Sequence, residues 1–263
     1  MNIEVNAASA CLPGKPILTA VTRIAEGVAE PLWGPLAKNH IQLCPQHPGR
    51  ITEETVDRAK AIAPDTAFRL HANAYVGDKR HIFDASTLDT DEHRKYFRRL
   101  AELSRYMQAP AYTLHAGYQH QATLEQMRDN VLAIQHLFGI QVGVEALYPT
   151  PKRDLVVGRK PQLLGTWAEL EWLMRSDLNI AIDLSHIQII ARAEGRRDDL
   201  LADLLAHPRL IEVHVSDNDE IRDSHDVCSE ATWWLPFLRA APLAPGCVVF
   251  SEGNLVREQG RTH

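Results

Sequence analysis

Eight short runs of apolar and β-branched residues recur along the chain, and stretches with the spacing of an amphipathic helix lie between most of them. Strands that alternate with helices predict a parallel sheet, either open or closed into a barrel. The predicted strands cover residues 3–5, 40–43, 67–71, 111–115, 141–145, 179–183, 210–215 and 247–251. The predicted helices cover residues 52–62, 90–107, 123–138, 165–175, 197–206 and 231–239.

The length of the chain favours the closed form of such a sheet. A (β/α)8 barrel, or TIM barrel, needs roughly 250 residues, and this chain has 263. Open nucleotide-binding sheets usually carry a glycine-rich phosphate loop, and neither GxGxxG nor GxxxxGK followed by Ser or Thr occurs. We therefore predict an α/β fold with a single TIM-barrel domain over residues 1–263. About a dozen residues follow the last predicted strand, so the final outer helix is expected to be short or missing.

Charge and cysteine content argue against several other classes of protein. The chain has 28 Lys and Arg against 34 Asp and Glu, a net charge of −6, which is unusual for a protein that coats nucleic acid. Its four cysteines are scattered without a CxxC pair, which fits a reducing cytoplasm better than a disulfide framework. No run of about 20 apolar residues and no signal-peptide pattern is evident, so we expect a cytoplasmic protein with no membrane partner.

Six consecutive predicted strands end in residue types that commonly bind metal ions. The carboxyl ends of barrel strands lie on one face, which carries the active site. The residues are His71, His115, Glu145, Asp183, His214 and Glu252, with His186, Asp223 and His225 close behind two of them. Imidazoles and carboxylates without a thiolate suit divalent Zn, Mn, Fe or Co. We expect one to three ions, and nine candidate ligands are more than one ion needs.

The loops on the same face carry basic and aromatic residues that suit an anionic or sugar-like substrate. Lys79 and Arg80 follow the third strand, and Lys152 and Arg153 follow the fifth. Such basic residues favour a phosphorylated or carboxylated substrate, although ordinary solvated loops explain them equally well. The candidates for stacking on a sugar ring are Trp33, Trp233 and Trp234.

The segments around the strand ends form short motifs. They are VE at 144–145, IDLSH at 182–186, VHVSDN at 213–218, DSH at 223–225 and SEGN at 251–254. Together they resemble the xylose isomerase-like barrel superfamily, which contains sugar isomerases and epimerases and the endonuclease IV type of abasic-site nuclease. The resemblance spans residues 67–254.

This resemblance implies two uses of the same residues. In the isomerases and epimerases, Glu145, Asp183, His214 and Glu252 would bind one metal ion. Glu145 and Glu252 would also form the acid/base pair, and His186 would contact the substrate. In the endonuclease IV branch, all nine residues would hold three zinc ions.

The sequence departs from the epimerase pattern at two positions. Pro151 and Glu220 stand where that pattern has a second Glu and an Arg. A further short string, DSHD at 223–226 with tryptophans after it, is similar to multinuclear iron oxidases built on a related barrel.

Three enzymatic functions follow from these observations. The first is isomerisation or epimerisation of a small sugar-type hydroxy-carbonyl compound, either neutral or anionic, through an enediolate, with Glu145 and Glu252 moving the proton. The alternative is a multinuclear zinc phosphodiester hydrolase resembling endonuclease IV, with abasic DNA as its partner. The second alternative is a multinuclear iron oxidase or oxygenase. A non-enzymatic scaffold would require the whole ligand set to be vestigial, and assembly into a homo-oligomer is left open.

Overall fold

Eight parallel strands form the core of the protein in a computed structural model that describes residues 3–150 and 160–256. The strands are β1 (Val5–Ala8), β2 (Ala37–Leu43), β3 (Ala67–Leu70), β4 (Ala111–His115), β5 (Gln141–Ala146), β6 (Asn179–Asp183), β7 (Leu210–Val215) and β8 (Val248–Ser251). Neighbouring strands pair in the order β3-β2-β1-β8-β7-β6-β5-β4. The prediction of an α/β TIM barrel is therefore confirmed. The extension of one domain over all of residues 1–263 stays a prediction.

Helices lie in the connections between the strands. They are α1 (Ile17–Glu26), α2 (Glu53–Ile62), α3 (Asp91–Met107), α4 (Leu124–Phe138), α5 (Trp167–Arg175), α6 (Leu184–Glu194), α7 (Asp198–Leu205) and α8 (Leu235–Ala240). Four of them begin after a threonine whose hydroxyl accepts a hydrogen bond from the backbone N–H three residues later. Within the described part of the chain, no helix combines the length and the apolar character needed to cross a membrane.

The barrel has one seam, between β3 and β4, where the strands are not paired through their backbones. At the carboxyl end of the seam, the N–H of Ala85 donates to the carbonyl of His115 over 2.9 Å. In the barrel interior, Arg69 of β3 and Thr113 of β4 both donate to the carboxylate of Glu212 on β7. One backbone hydrogen bond at its carboxyl end and side-chain contacts in the interior therefore bridge the seam.

Strand β7 carries polar residues that face the interior of the barrel. All six of its residues are buried, as expected for a strand covered by helices outside and side chains inside. Glu212 and His214 are nevertheless part of it, two positions apart and therefore on the same face. Glu212 contacts side chains from strands across the barrel, so this face is the interior.

Several predicted elements differ from the observed ones. The first strand is Val5–Ala8 rather than 3–5, because small alanines, which have little strand propensity, form its buried end. The helices α1 and α6 were not predicted, since runs rich in β-branched residues are also typical of strands. The predicted helix at 231–239 is shorter and begins at Leu235. The segment after Val256 lies outside the described residues, so the short or missing final helix stays a prediction.

Candidate metal centre

All nine predicted metal ligands lie at the carboxyl end of the barrel. Strand ends supply six of them, because the parallel strands all finish on this face. His186 comes from the first turn of α6, and Asp223 and His225 come from the connection between β7 and α8. Each of the nine has a nitrogen or carboxylate oxygen within 4.0 Å of another member of the set.

Glu145 lies at the centre of this group and is only 1% exposed. Its Oε2 lies 3.2 Å from Nε2 of His71 and 3.4 Å from Nε2 of His115. Its Oε1 faces elsewhere, 3.4 Å from Nδ1 of His214. The two oxygens of this carboxylate therefore face different imidazoles, as those of a bridging ligand would, and donor atoms of His71, Glu145 and His214 also lie within 4.8 Å of one another.

A second set of donors surrounds His214. Donor atoms of Asp183, His214 and Glu252 all lie within 4.8 Å of one another, and all three residues are buried. Nδ1 of His214 lies 3.8 Å from Oε1 of Glu252. With Oε1 of Glu145, this set contains the four residues that the resemblance assigns to a single metal ion.

The third set contains His186, Asp223 and His225. Oδ2 of Asp223 lies 3.4 Å from Nε2 of His186 and 3.3 Å from Nε2 of His225. His225 has a backbone φ of 49°, which is uncommon for a residue with a side chain. Its Nδ1 also lies 3.3 Å from Oε2 of Glu252, so the second and third sets are adjacent.

Several of these donor atoms have no hydrogen-bond partner although they are buried. They are Nε2 of His71, Oε2 of Glu145, Nδ1 of His214 and Oε1 of Glu252. An unsatisfied buried polar atom costs about 1–3 kcal/mol. The contacts of 3.2–3.4 Å match the edge of about 3.4 Å in a tetrahedron of metal–ligand bonds of about 2.1 Å. Burial, spacing and donor type therefore fit divalent metal ions.

Hydrogen bonds on the far side of the imidazoles fix their orientation. Nδ1 of His71 donates to the carbonyl of Ala72 over 3.1 Å, and Nδ1 of His186 donates to the carbonyl of Ala146 over 2.9 Å. Each bond leaves Nε2 of the same ring facing the cluster. Such outer contacts are typical of metal-binding histidines.

In this cluster, protonated imidazoles balance the negative charges of the carboxylates. Burial favours the neutral form of His186, but Asp183 and Asp223 raise the pKa of its imidazole to about 10. Burial also favours the protonated form of Glu145, yet His214 beside it holds the pKa of that carboxyl well below its usual range. Divalent ions would replace these protons as the balancing charge, so metal binding would release protons.

The predicted basic substrate contacts differ in their surroundings. Arg80 donates to the backbone carbonyls of Pro45 and His47 over 2.5 and 2.6 Å. Lys79 lines a surface cavity of about 490 Å³ beside α3. Lys152 and Arg153 lie outside the described residues. All four stay predictions as substrate-binding residues.

The tryptophans also differ from one another. Trp233 donates from Nε1 to Asp198 over 3.0 Å, and Arg196 lies over its ring. Trp33 is partly buried and packs against the apolar core. Trp234 is fully buried in that core, so the prediction that it lines the barrel mouth is wrong. Substrate stacking on Trp33 and Trp233 stays a prediction.

Three polar residues directly beneath the candidate metal ligands were not predicted from the sequence. They are Glu212, Arg69 and Gln42. Glu212 accepts hydrogen bonds from Nε2 of His214, from Arg69 and from Gln42. Burial would raise the pKa of Glu212, but Arg69 and His214 hold it at about 2. Arg69 and Glu212 each stand two positions before a candidate ligand in a buried strand. A charged residue at such a position was the available signal.

Comparison with known proteins supports the family expected from the motifs. Residues 37–250 match the family model described as the xylose isomerase-like TIM barrel. A comparison with curated proteins finds no match.

Solved structures share this fold at low sequence identity. A D-tagatose 3-epimerase-like protein has a TM-score of 0.66 at 15% identity, covering 99% of this chain and 96% of its own. An AP endonuclease, family 2, from Brucella melitensis has a TM-score of 0.60 at 13% identity, with coverages of 97% and 93%. The IOLI protein with a bound zinc atom has a TM-score of 0.57 at 11% identity, with coverages of 95% and 88%. At these identities the likeness shows the fold alone, whereas the family match covers most of the chain: the protein belongs to the xylose isomerase-like TIM barrel family.

Proposed function

We propose that the protein is a metal-dependent hydrolase of phosphate esters with more than one divalent ion in its active site. The proposal rests on the carboxylate of Glu145, whose two oxygens face different imidazoles. The separate set formed by His186, Asp223 and His225 supports a further ion. In a mononuclear isomerase, His71, His115 and this third set would serve only as outer or substrate contacts.

Different residues of the cluster would have different roles in hydrolysis. When bound, divalent ions lower the pKa of water and stabilise the charge on a transferring phosphoryl group. Glu145, whose two oxygens face different imidazoles, would be a ligand to more than one ion. Glu252, whose Oε1 is buried without a partner, would orient the attacking water and accept its proton.

A specific observation also supports sugar isomerisation or epimerisation as a second candidate. Oε1 of Glu145 and Oε1 of Glu252 both face Nδ1 of His214, at 3.4 and 3.8 Å. Two carboxylates beside one ion could remove and return a carbon-bound proton. The D-tagatose 3-epimerase-like structure has the same fold. This function would require only one ion.

The two functions are tested with the same zinc- and manganese-loaded protein. We expect cleavage of bis(p-nitrophenyl) phosphate or of a duplex with an abasic site, and loss of at least about 100-fold of that activity in Glu145→Gln and Asp223→Asn. His136→Gln, at a surface position on α4, is the matched control and should retain activity.

Other outcomes would replace the proposal. Interconversion of ketohexoses without phosphate-ester cleavage would establish the isomerase instead. Oxygen consumption by iron-loaded protein would establish the oxidase. If hydrolysis is found, a steep dependence of substrate binding on salt would identify DNA rather than a small phosphate ester as the substrate.

A further inference from the structure

Glu212 is the acceptor at the centre of a polar network inside the barrel, below the metal centre. Its side chain is 0% exposed. Oε1 accepts from Nε2 of Gln42 over 2.5 Å, from Nε2 of His214 over 2.7 Å and from the hydroxyl of Thr113. Oε2 accepts from Arg69 over 2.6 Å. Donors from β2, β3, β4 and β7 thus converge on one carboxylate.

The short contact with Glu212 decides which nitrogen of His214 carries a proton. A carboxylate oxygen only accepts hydrogen bonds, so a nitrogen at 2.7 Å from it must be the donor. Nε2 of His214 is therefore protonated, and its 3.3 Å contact with the amide of Gln42 is not a hydrogen bond from that amide. Nδ1 is left to face Glu145 and Glu252, and it has no hydrogen-bond partner.

Arg69 supplies the positive charge beside the carboxylate of Glu212 that accepts the hydrogen bond from His214. A buried carboxylate without a cation beside it would destabilise the fold. The guanidinium of Arg69 is itself buried and faces Glu212 directly. The pair lies on the Nε2 side of His214, whereas Glu145 and Glu252 lie on its Nδ1 side.

We propose that Glu212, with Arg69 as its counter-charge, is a positioning residue that holds the ring of His214 with Nδ1 directed into the metal centre. This inference rests on the metal dependence proposed above. Because Arg69 and Thr113 lie on the two strands of the barrel seam, the same carboxylate also ties the seam to the centre. Glu212 itself would not touch the substrate.

The test compares zinc binding by the wild-type protein and by variants of Glu212. Competition with a chelator of known affinity gives the number of zinc ions and their dissociation constants. Glu212→Gln should weaken at least one zinc ion by about 10- to 100-fold, the usual effect of losing such an outer contact. Thr113→Val, which removes one donor to Glu212 but leaves the contact with His214, should lower the melting temperature with nearly wild-type zinc affinity.

A second variant and a spectroscopic readout separate positioning from general destabilisation. Glu212→Asp keeps the charge beside Arg69 but shortens the side chain, so it should also weaken zinc binding, and it carries the test if Glu212→Gln does not fold. Long-range ¹H–¹⁵N NMR of the histidine rings should show Nε2 of His214 protonated in zinc-loaded wild type. In the Glu212 variants, part of the population should carry the proton on Nδ1.

The outcomes distinguish this inference from the proposed function. Zinc affinity equal to wild type in a folded Glu212 variant, or a ring of His214 that is unchanged in it, would overturn the role of Glu212. A wild-type protein that binds no zinc, manganese, iron or cobalt would instead refute the metal dependence on which the inference rests.

Discussion

Glu145 and Glu30 show how differently two buried carboxylates behave in one protein. Glu145 is surrounded by imidazoles at 3.2–3.4 Å, so its negative charge is balanced. Glu30 lies in a short antiparallel hairpin, Ala29–Glu30 with Gly34–Pro35, that precedes β2. It accepts a hydrogen bond from the hydroxyl of Ser251, and its Oε2 is buried without a partner. Burial raises the pKa of Glu30 from 4.5 to about 7.

The raised pKa of Glu30 predicts a loss of stability as the pH rises. Between pH 4.5 and about 7 the folded protein keeps the proton of Glu30, whereas the unfolded chain has released it. The free energy of unfolding therefore falls across this range by up to about 3 kcal/mol, and this contribution levels off above it. Glu30→Gln, which is neutral at every pH, should gain stability relative to wild type from pH 5 to pH 8.

Urea unfolding of the metal-free proteins at several pH values measures this difference directly. The other titrating groups are common to both proteins, so their effects cancel in the comparison. A difference in unfolding free energy that does not change between pH 5 and pH 8 would show that Glu30 is not protonated in the folded state.

Helix α6 begins directly after Asp183, a residue of the candidate metal centre. Oδ1 of Asp183 accepts the backbone N–H of Ser185 over 2.7 Å and caps the helix, while its other oxygen faces His186. One side chain therefore ends β6, starts α6 and contributes to the donor set. These roles can be separated because asparagine caps a helix as well as aspartate does but carries no charge.

Asp183→Asn should lose metal affinity without losing stability. The amide oxygen keeps the cap. Burial, with Asp223 and Glu252 beside it, raises the pKa of Asp183 in spite of the attraction of His186, so loss of its charge does not weaken the metal-free fold. We expect at least about tenfold weaker zinc binding by chelator competition and an unchanged or higher free energy of unfolding without metal.

Thr123→Ala is the control, in which we expect stability to fall and metal affinity to stay the same. Thr123 and Gln126 form a reciprocal capping box at the start of α4, an outer helix. Its loss should cost about 1 kcal/mol of stability and leave zinc affinity unchanged. Equal losses of stability in both variants, with equal zinc binding, would contradict the assignment of Asp183 to the centre.

For the whole molecule, the order of the strands was predictable because each barrel strand carries an apolar run, and six of the helices were predictable from the amphipathic stretches between these runs. That the candidate ligands lie close together was predictable because the barrel gathers the strand ends, as for His115 and Asp183. Helix α6 was not, since Ile187, Ile189 and Ile190 extend the apolar run of β6 and are buried on all sides. The local pattern of apolar residues does not distinguish a fully buried helix from a strand.

The network around Glu212 was not predictable for a different reason. Its partners Gln42, Arg69 and Thr113 are far apart in sequence, and each alone resembles an ordinary strand residue. Only closure of the barrel brings them to one carboxylate. A charge within a buried strand indicates that a partner must exist, but not which residue it is.

The number of metal ions bound per chain tests the central claim most directly. Elemental analysis of protein purified without added metal, and again after reconstitution, should be run beside Glu145→Gln and His136→Gln. We predict two or three ions per chain in the wild type and in His136→Gln, and fewer in Glu145→Gln, because an amide is a poor bridge between ions. A single ion per chain would contradict the multinuclear hydrolase and favour the isomerase, and no bound metal after reconstitution would refute the metal centre itself.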